Sequence, residues 1–302
     1  MNALSFLPLL LALVLSPLLP GVINRTKAFF AGRRGPPLLQ TYFDLWKLLQ
    51  KGAVYSRTTT WVFRAGPMIS LAGVLGAAML LPLGGVPALV AFPADFLLLA
   101  GLLGLGRFAT VVAALDTGSS FEGMGASREV YFSALAEPAL FVALATVARQ
   151  AGSLSLSAML GATPGARGLP FTPAVALVLI ALVIVLLAEN ARIPVDDPNT
   201  HLELTMIHEV MVLDHGGPDL AFIHYGAALK LWLFTALVVG LVLPAGGPVG
   251  VKLLLAAGGM LVGAVVVGVI ESIMARLRLV IVPQLLVGAG ALAATAFLLA
   301  LK

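Results

Sequence analysis

Apolar residues run in eight nearly unbroken stretches, separated by shorter polar segments. They cover residues 4–23, 67–90, 95–115, 129–150, 171–189, 218–243, 249–271 and 279–301. A bilayer core takes about 20 apolar residues per helix, so each stretch reads as a membrane span. Long apolar runs exclude the alternating segments of a membrane β-barrel. The predicted fold class is all-α: a polytopic membrane protein of about eight transmembrane helices in a single integral membrane domain over residues 1–302. The first stretch lacks a basic start and a small-residue cleavage site, so it reads as a span rather than a removable leader. No convincing repeat relates the two halves, which argues against an inverted-repeat transporter.

One polar segment has a helical period of its own. Residues 37–51 read PLLQTYFDLWKLLQK, with Gln40, Asp44, Lys47 and Lys51 recurring at steps of 4, 3 and 4. That spacing puts them on one stripe of a helix, with Leu38, Leu39, Tyr42, Phe43, Leu45, Trp46, Leu48 and Leu49 covering the rest. Too short to span, such a helix lies in the plane of the interface. It is either a loop anchor or the floor of a docking site, and Asp44 with Lys47 forms a candidate i,i+3 ion pair.

Composition agrees with the pattern. The chain is 60% apolar and 11% charged, where a soluble domain has about 25% charged residues. There is no cysteine, which removes disulfides, thiolate metal sites and iron–sulfur ligation by this chain. The net charge of +4 is more informative by its distribution. Loops at about 24–66, 116–128, 190–217 and 272–278 hold 12 basic residues, eight of them in the first loop (Arg25, Lys27, Arg33, Arg34, Lys47, Lys51, Arg57 and Arg64). The opposite connections hold only Arg149, Arg167, Lys252 and Lys302. By the positive-inside rule the basic loops are cytoplasmic and both termini lie outside the cell (inner or plasma) membrane. The basic excess therefore points to the lipid bilayer, not to nucleic acid.

Several charges fall inside the spans. Arg107, Glu137 and Lys230 lie within the third, fourth and sixth, and Glu189 and Glu271 close the fifth and seventh. Glu137 stands eight residues into its predicted span, about 12 Å at 1.5 Å per residue. Each central charge costs about 2.5–3.5 kcal/mol on insertion scales, so all of them should face the bundle interior. Static pairing and an ion relay both remain open for them.

The third inner loop is acidic, with Asp196, Asp197, Glu203, Glu209 and Asp214 against Arg192. His201, His208 and His215 recur at steps of seven and share a face if the segment is helical. The spacing matches no known zinc set, so no metal site is assigned, and proton carriage is the more natural role. The segment LDTGSSFEGMGASRE, with Asp116 and Arg128 at its ends, has no P-loop lysine. Neither a nucleophile elbow nor any other catalytic constellation occurs.

The segments RRGPPLLQTYFDLWKLLQK, LDTGSSFEGMGASRE, AENARIPVDD with HLEL, and MARLRL resemble the inner loops of the complex I subunit 1 family, the eight-helix membrane subunit at the peripheral-arm junction. The likeness spans nearly the whole chain. LDTGS, ENARIP and IPVDDPNTHLELTMIHE are more similar to the branch in hydrogenase 4, formate hydrogenlyase and related membrane-bound nickel–iron hydrogenases. The resemblance implies a non-catalytic subunit of an oxidoreductase complex that anchors it and couples electron transfer to proton or sodium translocation. Iron–sulfur clusters and the nickel–iron centre would belong to partners: an iron–sulfur small subunit and a hydrogenase-like large subunit on the cytoplasmic face, with antiporter-like subunits beside it in the membrane. No cofactor is expected on this chain. Alternative readings are the quinone-chamber subunit of a respiratory complex I, which would contact quinone, and a stand-alone cation transporter.

By family position, Glu137, Glu189, Arg192, Asp196, Glu203 and Arg128 match an ionisable path or the junction cavity. Together with the residue-level reading, the expected ion path is Arg107, Glu137, Glu189, Asp196, Glu203, Lys230 and Glu271. The expected junction comprises Arg33, Arg34, Asp44, Lys47, Asp116, Arg128, Arg192, Asp197, His201, His208 and Glu209.

Overall fold

The computed structural model describes residues 3–161, 172–197, 206–244 and 246–301. Among the described residues there are helices and no strands. In chain order they are α1 (Phe6–Leu15), α2 (Leu18–Phe30), α3 (Gln40–Leu49), α4 (Trp61–Met79), α5 (Asp95–Asp116), α6 (Ser120–Ala151), α7 (Leu156–Met159), α8 (Pro173–Glu189), α9 (Gly217–Val242), α10 (Val249–Ile273) and α11 (Val282–Ala300). Six of these (α4, α5, α6, α9, α10 and α11) are long and apolar enough to cross a bilayer. The chain is a multi-pass membrane protein.

The other two expected spans are corrected in form. The first is a bent pair, α1 and α2, meeting at 45°. The cause is Pro17, which has no N–H to give to the Leu13 carbonyl four residues earlier. That orphaned carbonyl accepts instead from the Tyr225 hydroxyl of α9 at 2.8 Å, and the next one, Val14 O, accepts from Tyr42 of α3 at 2.5 Å. The expected fifth span, α8, has 17 residues, about 26 Å, at the short limit for a bilayer core.

The helix expected in the first loop forms, shortened to α3, and no residue of it is buried. Its position is set by Gly21 of α2, where an added Cβ would collide with the Leu38 carbonyl oxygen. Asp44 accepts from Gln40 Nε2 at 2.7 Å rather than pairing with Lys47.

Small residues let the spans approach closely, as packing without a hydrophobic drive requires. A Cβ on Gly73 of α4 would lie 2.8 Å from Leu102 O, and one on Gly66 would lie 2.6 Å from the Ala113 methyl, so α4 and α5 lie nearly backbone to backbone. The central helix is α9, with 67% of its apolar window buried, against 28% for α10 and α11 at the rim.

The four basic or acidic loops meet at one end. Asp116 accepts from Thr60 N at 2.6 Å and Phe63 N at 3.3 Å, capping α4. Gly217 sits on the Gly52 carbonyl, and Leu277 N donates to Pro194 O at 2.9 Å. At the opposite end the fully buried Asp95 accepts from Leu156 N at 2.7 Å and Ser155 Oγ at 3.0 Å.

One expected loop is largely helix. α6 starts at Ser120, so Gly123 and Gly125 belong to it, and Glu137 lies 17 residues in, about 26 Å, rather than eight. The 32-residue helix extends nine residues beyond the apolar stretch at the loop end, so Glu122 stands on the same helix as Glu129 and Glu137.

Candidate functional site

Four helices deliver carboxylates and cations to one place. Arg107 of α5 contacts Glu137 of α6 through Nη1. Its Nη2 donates to both oxygens of Glu189 of α8, at 2.6 and 2.5 Å. Its Nε stands 3.1 Å from Glu129 Oε1 of α6. Lys230 of α9 meets the same Glu189 at 2.8 Å. The planar guanidinium fork suits this arrangement, because its five fixed donors can address several carboxylates at once.

The cluster combines two cations with three acids, a net charge of −1. The Arg107, Glu129 and Glu189 side chains are 9%, 7% and 4% exposed, while Glu137 keeps 40% open at the surface of the bundle. Gly104 of α5 makes room for it, its Cβ position being 3.6 Å from Glu137 Oε1. Of the seven residues of the expected ion path, Arg107, Glu137, Glu189 and Lys230 come together in one contiguous network.

Glu129 is the member that the expected site omitted. On a helix, Glu129, Ser133 and Glu137 fall at i, i+4 and i+8, so a single face carries both acids. That stripe is the available signal. Hydropathy masks it by starting the span at Glu129 itself, which makes this acid look like a boundary residue.

The cluster is joined on the loop side to a shallow pocket lined by Glu129, Ser133, Glu189, Asp196, Ile207 and His208. Its far wall, residues 206–208, is held three ways. Arg128 Nη1 donates to Met206 O at 2.8 Å. Asp196 Oδ2 accepts from Ile207 N and His208 N, both at 3.1 Å. Gly125 lets the segment lie flat on α6, since a Cβ there would collide with Val210 Cγ1. Asp196 is itself paired with Arg276 at 2.9 Å and accepts from Asp197 N at 2.9 Å. His208 Nδ1 faces Glu129 Oε2 at 3.4 Å.

A second, separate group surrounds Glu271. Lys27 of α2 lies 2.8 Å away and Arg192 3.4 Å away, so Glu271 belongs to this group and not to the Arg107 network. Lys27 and Arg276 were not among the expected site residues.

Other expectations separate. His201 and Glu203 lie outside the described residues. His208 and His215 do not share a helix face: His208 turns to Glu129, whereas His215 stacks on Phe63 with centroids 3.9 Å apart and planes at 6°. Burial pushes the His215 imidazole below its usual proton affinity, against the pull of Asp219 and Asp214. Asp116 serves as a cap, and Glu209 opens a short 3₁₀ turn, Glu209–Val212. Arg33, Arg34 and Lys47 are on the loop face. Among the described residues no three His, Asp or Glu side chains converge as a metal cage.

A family described as NADH dehydrogenase matches residues 2–301. Formate hydrogenlyase subunit 4 of Escherichia coli (strain K12) is 32% identical over 291 residues, covering 92% of each chain. Hydrogenase-4 component C of the same organism is 33% identical over 234 residues, 78% of this chain and 73% of that one. In fold, the chain superposes on one from the membrane-bound sulfane sulfur reductase, an archaeal respiratory membrane complex. The TM-score is 0.82 at 20% identity, with 98% of each covered.

Proposed function

The chain belongs to the NADH dehydrogenase family, and from that premise we propose that it is the membrane-anchoring and ion-path subunit of a membrane-bound hydrogenase complex of the formate hydrogenlyase or hydrogenase-4 kind. The two hydrogenase relatives support the branch, each above 30% identity. In this reading the redox centres reside in an iron–sulfur small subunit and a hydrogenase-like large subunit on the cytoplasmic face. Both termini lie outside, and the four loops that meet at one end form the docking surface. Antiporter-like subunits flank it in the membrane.

The observation that carries the reading is the shared guanidinium. Three carboxylates from two helices compete for Arg107 in a low-dielectric setting, and Lys230 holds one of them. Such a group has several arrangements of similar energy, because moving Arg107 toward one acid releases another. An event at the docking face that perturbs Glu129 or Asp196 thus shifts charge at Glu137. Glu137, with 40% of its side chain open at the bundle surface, is placed to pass that shift to a neighbouring subunit. The translocated ion in this reading is the proton, since carboxylates and imidazole are its natural carriers.

The test is Glu137→Gln in the whole complex, sealed in vesicles. The complex assembles and transfers electrons, while acidification read by a pH-sensitive dye is abolished. Unchanged acidification sinks the ion-path role. Co-purification with an iron–sulfur protein separates a complex subunit from an isolated transporter.

A further inference from the structure

We propose that His208 and Glu129 form the proton entry of the Arg107 cluster, with the imidazole receiving the proton at the loop face and Glu129 passing its effect to the guanidinium. This rests on the function proposed above and adds to it the pair at which a proton is taken up and through which that uptake acts on the network.

Exposure sets the direction. The His208 side chain is 30% exposed, Glu129 7%, Arg107 9% and Glu189 4%. The network thus opens at two places, at Glu137 (40%) on the bundle surface and at the imidazole on the loop face, and only the latter adjoins the loops. Geometry sets the connection. One Glu129 oxygen lies 3.1 Å from Arg107 Nε and the other 3.4 Å from His208 Nδ1. Neither contact is a hydrogen bond: Arg107 Nε and His208 Nδ1 are both buried nitrogens without a hydrogen-bond partner. One carboxylate thus turns one oxygen toward each nitrogen. Glu129 is therefore the bridge between a partly exposed base and a buried cation.

The step balances simply. A proton from the aqueous side binds the imidazole. The Nδ1–H bond breaks as an O–H bond forms on Glu129, and the imidazole returns to neutral. Arginine does not give up its own proton, so nothing hops through Arg107. Neutralising Glu129 instead removes one of three attractions on the guanidinium, which moves toward Glu189 and Glu137.

The charged groups around His208 leave this route open. Glu129 faces it from α6, Arg128 of the same helix donates to the Met206 carbonyl two residues before it, and Asp196 holds its backbone N–H from the segment after α8. Arg276 is occupied with Asp196, Glu189 lines the same pocket, and Glu209 follows His208 in the chain.

The experiment uses the intact complex in sealed vesicles, with donor-driven proton movement measured between pH 5 and 8. His208→Ala is expected to slow proton movement by about 10²-fold, the scale of a lost proton-transfer group. Added imidazole should restore it in a dose-dependent way, which a merely structural role would not produce. Glu129→Gln, which keeps the shape but takes no proton, should be equally slow and insensitive to imidazole. Wild-type movement and an unchanged pH profile in either variant overturn the proposal, as does failure of imidazole to rescue an assembled His208→Ala complex. Should His208→Ala not assemble, Glu129→Gln decides alone. A wild-type complex that moves no protons sinks the parent reading, whereas pumping that ignores both residues sinks only this one.

Discussion

Arg107→Lys keeps the charge of the cluster and removes its shape. The guanidinium reaches Glu189, Glu137 and Glu129 through three different nitrogens, while an ammonium offers one position. With Glu189 retained, two carboxylates lose their partner. A hydrogen bond to a charged group contributes about 1.5–3 kcal/mol, and Glu137 counts at the low end because 40% of it is open. Glu129 loses an ion-pair contact rather than a hydrogen bond, so the expected loss is about 1.5–3 kcal/mol for the two together. The assay is the fraction of intact detergent-solubilised complex after graded heating, with Lys230→Arg as the control that keeps a single contact to Glu189. Arg107→Lys should dissociate at markedly lower temperature and move no ions. A variant that survives the same heating and translocates at the wild-type rate would falsify the claim that one planar cation holds three acids together.

Three further outcomes follow from the packing. Gly21→Ala would drive a methyl into Leu38 O, so the start of α3 must move away, breaking the Tyr42 bond to Val14 O; faster amide exchange in α3 checks it, and unchanged exchange refutes it. His215 has a proton affinity in the folded chain below the ordinary 6.5, so the unfolded chain takes up its proton first. Its stabilising share is full above about pH 6.5 and lost as pH falls through the lowered folded value. His215→Phe, which keeps the stack on Phe63, should flatten the melting-against-pH curve in that range. Asp95→Ala leaves the buried Leu156 N–H unpaired and should cost about 1–3 kcal/mol, read as earlier melting; an unchanged midpoint counts against the capping role.

Hydrophobic periodicity alone determined that this chain is helical and membrane-embedded, because a bilayer admits few alternatives and demands long apolar runs. It also identified α3 and the intramembrane charges Arg107, Glu137 and Lys230, since each violates the apolar pattern and must be compensated. The α1–α2 bend was legible in principle through Pro17, but a proline inside an apolar run does not say which distant hydroxyls will satisfy the freed carbonyls. Tyr42 and Tyr225, 28 and 212 residues away, do so. Hydropathy also hid the start of α6, because its first turns are polar while still helical.

Which acid meets which cation was decided only by the tertiary structure. Glu189 and Glu271 both end apolar helices, yet one joins Arg107 and the other joins Lys27. Partner choice depends on helix rotation and crossing, set by close approaches such as Gly73 on Leu102 and Gly268 on Thr26. His208 and His215 show the same division. Their regular spacing suggested one face, but the loop between α8 and α9 is pinned by Asp196, Arg128 and Gly125, and that pinning turns one ring toward a carboxylate and the other onto Phe63.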